Sequence, residues 1–443
     1  MITPSLKRSS QVVLALGCAS SGAAAALTLV SATTGTYNES PSWHVLYDST
    51  PAVQAAGAAV AVLMASLRLS STTRILTALI ATIVLVSTLA GTTGDSILLG
   101  YVTSILAGVI LGGVAGWSLA VAPRLDWAPA ALAVGTVIGV VLREPLSDPF
   151  ILYPGGNGPM SAISVESVTT ALLLLSVMLA AVLNPAVGQA LSPVSEPVSE
   201  PGTASRSGRL TLAAGCGLAI MSVLVTWWYT ATVHSDAAMV DEWYPAYGQV
   251  ALILVIAVIV GSRGGALLVV AAAWTISRSG ETNWVPDSRW WLLLVVVGVI
   301  AGALLGWRHG RPVVGITVLA VCAATYLLID APFIEVYSGA ALFVAPGATA
   351  FSMAGLLRGT RPAAALLAIA LAAPAVWMFA PRAVFIDITT IGSADPGPRS
   401  IDYAFVSPSL EVAAKVAVPM IVAIAACVAV LLVIQRRGNE PSQ

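Results

Sequence analysis

Residues Gln189–Arg209, QALSPVSEPVSEPGTASRSGR, form a polar run rich in Ser, Pro and Glu, without a single aromatic residue. On both sides of it the chain is nearly all apolar. Of 443 residues, 58% are hydrophobic and 9% charged, with a mean hydropathy of +0.91; soluble domains carry about 25% charged residues. Apolar stretches of about 20 residues recur throughout, each long enough to cross a hydrocarbon core of ~30 Å as a helix. Only helices and closed barrels satisfy their own backbone there, and the short alternating pattern of barrel strands is missing. The fold class is therefore all-α and polytopic, and the polar run reads as a linker between two helical bundles.

Fourteen spans follow from the apolar runs: residues 10–33, 51–68, 74–92, 97–122, 127–143 and 167–188 before the linker, then 209–233, 248–262, 264–279, 290–307, 312–330, 339–357, 362–380 and 410–435. Lysine and arginine mark the cytoplasmic side. With the N-terminus inside, only Arg143, Arg278, Arg289, Arg382, Arg399 and Lys415 of the 20 basic residues fall outside. The acids sort the opposite way, so both termini are expected to be cytoplasmic. The Ala/Val/Arg-rich composition is that of a high-GC bacterium, which points to a bacterial plasma membrane. Lys7 and Arg8 ahead of an apolar run imitate a signal peptide. The similar Leu14-Ala-Leu-Gly-Cys18 and Leu212-Ala-Ala-Gly-Cys216 favour a retained first span over a cleaved one.

Those two pentads are one of four correspondences in the same order. Trp43 and Tyr47 are matched by Trp243 and Tyr247 in the loops that follow. Gly108–Trp117 (GVILGGVAGW) is matched by Gly298–Trp307 (GVIAGALLGW). Pro149-Phe-Ile-Leu-Tyr153 is matched by Pro332-Phe-Ile-Glu-Val-Tyr337. Internal repeats of this kind are common in membrane carriers. The division expected is a first six-helix repeat at 1–188, a linker at 189–208, a second parallel six-helix repeat at 209–357, and two extra helices with a long outer loop and a short tail at 358–443. Within the matched segments, Gly112 with Gly116 and Gly302 with Gly306 are small-xxx-small pairs suited to close helix packing, with Trp117 and Trp307 as interfacial anchors.

Six plus six parallel helices, inner termini and a long polar cytoplasmic linker resemble the major facilitator superfamily. The signature Gly-x-x-x-Asp-Arg-x-Gly-Arg-type loop of that superfamily is replaced by Ser66-Leu-Arg-Leu-Ser-Ser-Thr-Thr-Arg74. Six plus six plus two helices are also similar to flippases of the multidrug/oligosaccharidyl-lipid/polysaccharide group. Both resemblances imply alternating access around a central cavity.

Intramembrane ionisable groups mark coupling paths, and the span cores carry none. Glu411 and Lys415, spaced i, i+4, read as a pair on one helix face. An apolar or amphipathic cargo, including a lipid-linked one, fits such an interior. The first helix of each half supplies the candidate binding residues, Ser20, Ser21 and Thr28 with Ser222, Thr226, Trp227 and Tyr229. The rival reading is a membrane enzyme for lipid-linked glycosyl or acyl transfer. Its outer-loop site would combine Trp43 and Asp48 with Asp241, Glu242 and Trp243, since carboxylates beside aromatics suit sugars and acid–base work. A non-catalytic assembly protein is the third. Cys18, Cys216, Cys322 and Cys427 all sit in apolar runs, where free cysteine packs as a small hydrophobe. No cofactor, metal or nucleic-acid motif is present in the sequence, and the expected partners are membrane lipid and the cargo.

Overall fold

In a computed structural model of the chain, the described residues are 4–31, 50–67, 69–91, 97–121, 127–147, 169–170, 172–173, 176, 213–221, 223–224, 244–278, 290–328, 334–357 and 410–439. Among them all regular structure is helical: α1 (Pro4–Ser31), α2 (Thr50–Ser66), α3 (Ser71–Gly91), α4 (Ile97–Val121), α5 (Ala128–Ser147), α6 (Tyr244–Val260), α7 (Ser262–Arg278), α8 (Trp290–His309), α9 (Pro312–Ala324) with a 3-10 turn at Thr325–Leu328, α10 (Ile334–Leu357) and α11 (Leu410–Asn439). Eleven of the fourteen expected spans thus have their helix. The spans at 167–188, 209–233 and 362–380 lie wholly or mostly outside the described residues. Stretches within α1, α3, α4 and α11 are apolar over 18 to 22 residues, long enough to cross a membrane. The chain is a multi-pass helical membrane protein.

Two tight turns set the helix boundaries. Gly261 is the only residue between α6 and α7, at φ 60°, and its N–H bonds to the Ala257 carbonyl at 2.9 Å. Gly310 repeats this after α8 at φ 59°, bonding the Gly306 carbonyl at 2.8 Å. Glycine takes this left-handed end without the Cβ penalty of other residues. Pro312 then opens α9 at its first position, where its missing N–H costs nothing. α5 runs on to Ser147 and takes in Arg143 and Glu144, which the sequence reading set at or beyond its end.

Packing is dominated by parallel pairs, whose contacts advance together along both helices: Gly108 on Gly57 and Gly112 on Ala61, Gly302 on Gly347 and Gly306 on Phe351, Gly135 on Ala19 and Gly139 on Ala23. α1 lies along α5, α2 along α4, and α3 also packs on α4. Further along the chain α8 lies along α10, with α9 also on α10. α5 is the bridge, touching both α8 and α10. The α2–α4 and α8–α10 pairs approach backbone to backbone. A Cβ on Gly108 would fall on the Gly57 carbonyl, and a Cβ on Gly302 on the Gly347 carbonyl. In a bilayer, where lipid offers no hydrophobic drive, such close van der Waals packing is a main source of helix association.

These contacts equate α2, α3 and α4 with α8, α9 and α10. α1 on α4 is likewise matched by α7 on α10. The sequence match between Gly108–Trp117 and Gly298–Trp307 instead pairs α4 with α8; both touch α5, but α4 also sits on α1, α2 and α3, and α8 on α10. α4 and α8 each bring a glycine every fourth residue to a partner backbone, Gly108 and Gly112 in one, Gly298, Gly302 and Gly306 in the other. Opposite members of two equivalent seams therefore look alike in sequence. The last helix, α11, packs on α7 and α9.

Candidate functional site

Polar side chains inside the first bundle tie its helices together. Gln54 on α2 is fully buried, and its Nε2 donates to the Val30 carbonyl at 2.8 Å. Val30 lies in the last turn of α1, whose carbonyls have no partner within their own helix. Ser104 on α4, also fully buried, donates to the Val53 carbonyl of α2 at 2.7 Å. At the other end of the bundle, Arg74 opens α3. One guanidinium nitrogen donates to the Gly116 carbonyl near the end of α4, and the other to the Leu67 carbonyl at 2.7 Å. Gly116 has no side chain to obstruct it: the guanidinium carbon lies 3.1 Å from where a Cβ would stand.

The second set is tied at the equivalent junction. Ser352, near the end of α10, donates to the Pro312 carbonyl at the start of α9 at 3.1 Å and to Ala348 of its own helix at 3.0 Å. The junction is thus held by an arginine from α3 in one case and by a serine from α10 in the other.

The expected binding residues on α1 are placed as follows. Ser20 and Thr28 are buried, and their hydroxyls bond carbonyls of their own helix, Gly17 at 3.2 Å and Ala24 at 2.8 Å. Ser21 is half-buried. The neighbouring Gly22 faces Leu132 and Thr136 of α5. Ser222, Thr226, Trp227 and Tyr229 lie outside the described residues. So does the outer-loop set Trp43, Asp48, Asp241, Glu242 and Trp243.

The four packing glycines all face another helix or side chain. Gly112 sits against Ala61 and Met64, Gly116 against Arg74, Gly302 against Gly347, and Gly306 against the Phe351 backbone. Trp117 differs from its expected role as an interfacial anchor: it is only 7% exposed, enclosed by the helices around α4. Trp307 is half-buried. Cys18, Cys322 and Cys427 are buried and free, and Cys216 is partly exposed. Among the described residues no group of three His, Cys, Asp or Glu side chains could hold a metal.

Sequence reading missed Gln54, Ser104 and the fixed role of Arg74. The signal for Gln54 was available. An amide in the apolar run Thr50–Ser66 is costly to bury unless it is hydrogen-bonded.

No protein-family model and no curated protein matches the chain. Among solved structures it is similar to the xylose transporter XylE from E. coli in a partially occluded inward-open conformation, at 14% identity and a TM-score of 0.48 over 98% of this chain and 99% of that one. It is also similar to tetrameric PepTSo2, at 12% identity and a TM-score of 0.49 over 98% and 99%. The inward-open conformation of XylE gives 14% and 0.46 over 98% and 97%. Scores just under 0.5 at such identities carry neither substrate nor coupling to this chain.

Proposed function

We propose that the chain is a membrane carrier working by alternating access between two helical bundles. The first runs from α1 through the apolar span at 167–188. The second begins at α7, so that α6 and the apolar run at 209–233 are an insertion between bundles rather than the start of a repeat. Both termini are cytoplasmic, by the placement of lysine and arginine, and the setting is a bacterial plasma membrane. The cargo is apolar or amphipathic, which suits an interior whose buried polar groups, among the described residues, are hydroxyls and an amide.

The observation that carries this reading is the pair of equivalent seams, Gly57–Gly108 and Gly302–Gly347. Each seam packs one bundle tightly within itself. Among the described helices, the main contact between bundles is that of α5 against α8 and α10. Two internally rigid halves, each built on the same contacts and meeting along a limited face, are the mechanical elements that rocking transport needs.

The test is cysteine accessibility. The four native cysteines are replaced by serine, and single cysteines are placed along α1 and α7. Each is labelled from either side of the membrane with an impermeant maleimide. Mid-membrane positions that label on one helical face, from one side or the other according to conditions, support the carrier. Protection of every mid-membrane position would sink it in favour of a filled core.

A further inference from the structure

The charged groups of the described helices are confined to their ends. Lys7 and Arg8 lie in the first turns of α1, Arg74 in the first turn of α3, and Glu335 in that of α10. Arg263 and Arg278 stand at the two ends of α7, with Arg308 and His309 in the last turn of α8. Arg143 and Glu144 fall in the final turns of α5, Glu411 and Lys415 in the first turns of α11, and Arg436 and Arg437 near its end. Asp, Glu, Lys, Arg and His are missing from α2, α4, α6 and α9 over their whole length. The sequence extends this to the remaining apolar spans, for residues 167–188, 210–233 and 362–380 hold none of the five either.

Several of the polar groups that the described interior holds are hydrogen-bonded to the backbone. Gln54 donates to Val30, Ser104 to Val53, Thr136 to Leu132, Thr349 to Ala345, and Ser352 to Pro312. None of these groups takes up or releases a proton near neutral pH.

A carrier driven by the proton gradient must bind a proton in the membrane and release it on the other side. It therefore needs a titratable group on the moving path, as pumps and proton-coupled transporters have. We infer that this protein is an equilibrative carrier. It moves its cargo down the cargo's own gradient, and its change of state involves no proton bound by the protein. The inference rests on the carrier reading above. Sodium is the remaining rival, because carbonyls freed at helix breaks can coordinate it without a carboxylate. Pro346 in α10 and Pro419 in α11 each remove one helical hydrogen bond. The test therefore includes sodium.

The experiment uses the full chain in sealed vesicles, with the α1 and α7 single-cysteine panel and an impermeant maleimide as probe. Labelling rates from the two sides are measured at pH 5.5, 7.0 and 8.5. They are measured with and without a protonophore, and in sodium against choline. Each rate is divided by that of the same variant unfolded in detergent at the same pH, which removes the reactivity of the thiol itself. The expected result is a ratio of inner to outer labelling that changes less than threefold across all conditions. A change of threefold or more with pH or protonophore would establish proton coupling and overturn the inference. The same change with sodium would overturn it through the proline breaks. Mid-membrane positions that never label from either side would remove the carrier reading itself, an outcome distinct from a shifted ratio.

Discussion

A methyl group on Gly108 would fall on the carbonyl oxygen of Gly57, one helix away. The contact leaves no side chain to move aside, so strain must pass into the backbone of α2 or α4. Gly108→Ala is expected to destabilise the protein by about 1–3 kcal/mol, the usual range for overpacking. Gly302→Ala should cost a similar amount, because Gly302 meets the Gly347 backbone in the same way. Gly310→Ala loses no packing, since nothing lies within 4 Å, and is strained only through its φ of +59°. Thermal unfolding in detergent compares the three. A Gly108→Ala protein as stable as wild type would refute the seam.

The α8–α10 seam also allows a covalent test. A Cβ built on Gly298 would stand 3.7 Å from the Cβ of Phe343. That separation suits a disulfide, whose Cβ atoms are about 3.5–4.5 Å apart. In a background free of other cysteines, Gly298→Cys with Phe343→Cys should cross-link on mild oxidation. Cleavage in the intervening turn followed by reducing and non-reducing electrophoresis reads the result. Two separate fragments without reductant would place these helices apart.

Arg74 holds the α2–α3 turn and the end of α4 at once. Arg74→Lys keeps the charge but loses the fork that reaches two carbonyls. Both Arg74→Lys and Arg74→Ala should lower the unfolding temperature, with alanine the worse. The site is half-buried and partly screened, so the loss for alanine is expected at about 1 kcal/mol, the scale of one net hydrogen bond. Equal temperatures for wild type and Arg74→Ala would show that the two bonds contribute nothing.

The architecture was legible where it depends on composition and length. The apolar runs gave eleven described helices at nearly their expected positions, because a bilayer admits no other open-ended structure. The pairing of the halves was less legible. Gly108–Trp117 and Gly298–Trp307 share a pattern because both line tight seams, and a sequence carries the need for small residues without naming the helix that approaches. Likewise, nothing in residues 410–439 states that α7 and α9 lie beside the last helix. Gln54 carries no charge, yet a buried amide is nearly as constrained as a charged group. The hydroxyls of Ser20 and Thr28 bond the carbonyl about a turn back in their own helix, as helical Ser and Thr often do.

The cysteines give a simple check of burial. Cys18, Cys322 and Cys427 are 3%, 7% and 0% exposed, whereas Cys216 is partly exposed. N-ethylmaleimide on the detergent-solubilised native protein should therefore add one adduct first, at Cys216, and the others only on unfolding. Intact-mass and peptide analysis follow the order. Rapid modification of Cys427 would contradict the packing of α11.

Gly261 is all that separates α6 from α7. A joint of one residue gives the growing chain no slack, so neither helix can settle in the bilayer before the other is made. The two must leave the translocon as one hairpin, and the ribosome has to have delivered Arg278 before Tyr244 finds its final depth. Biogenesis of this protein is therefore expected to proceed pairwise at that point, whatever the order elsewhere. A glycosylation acceptor or protease site spliced after Gly261 would disturb the entry of two helices at once.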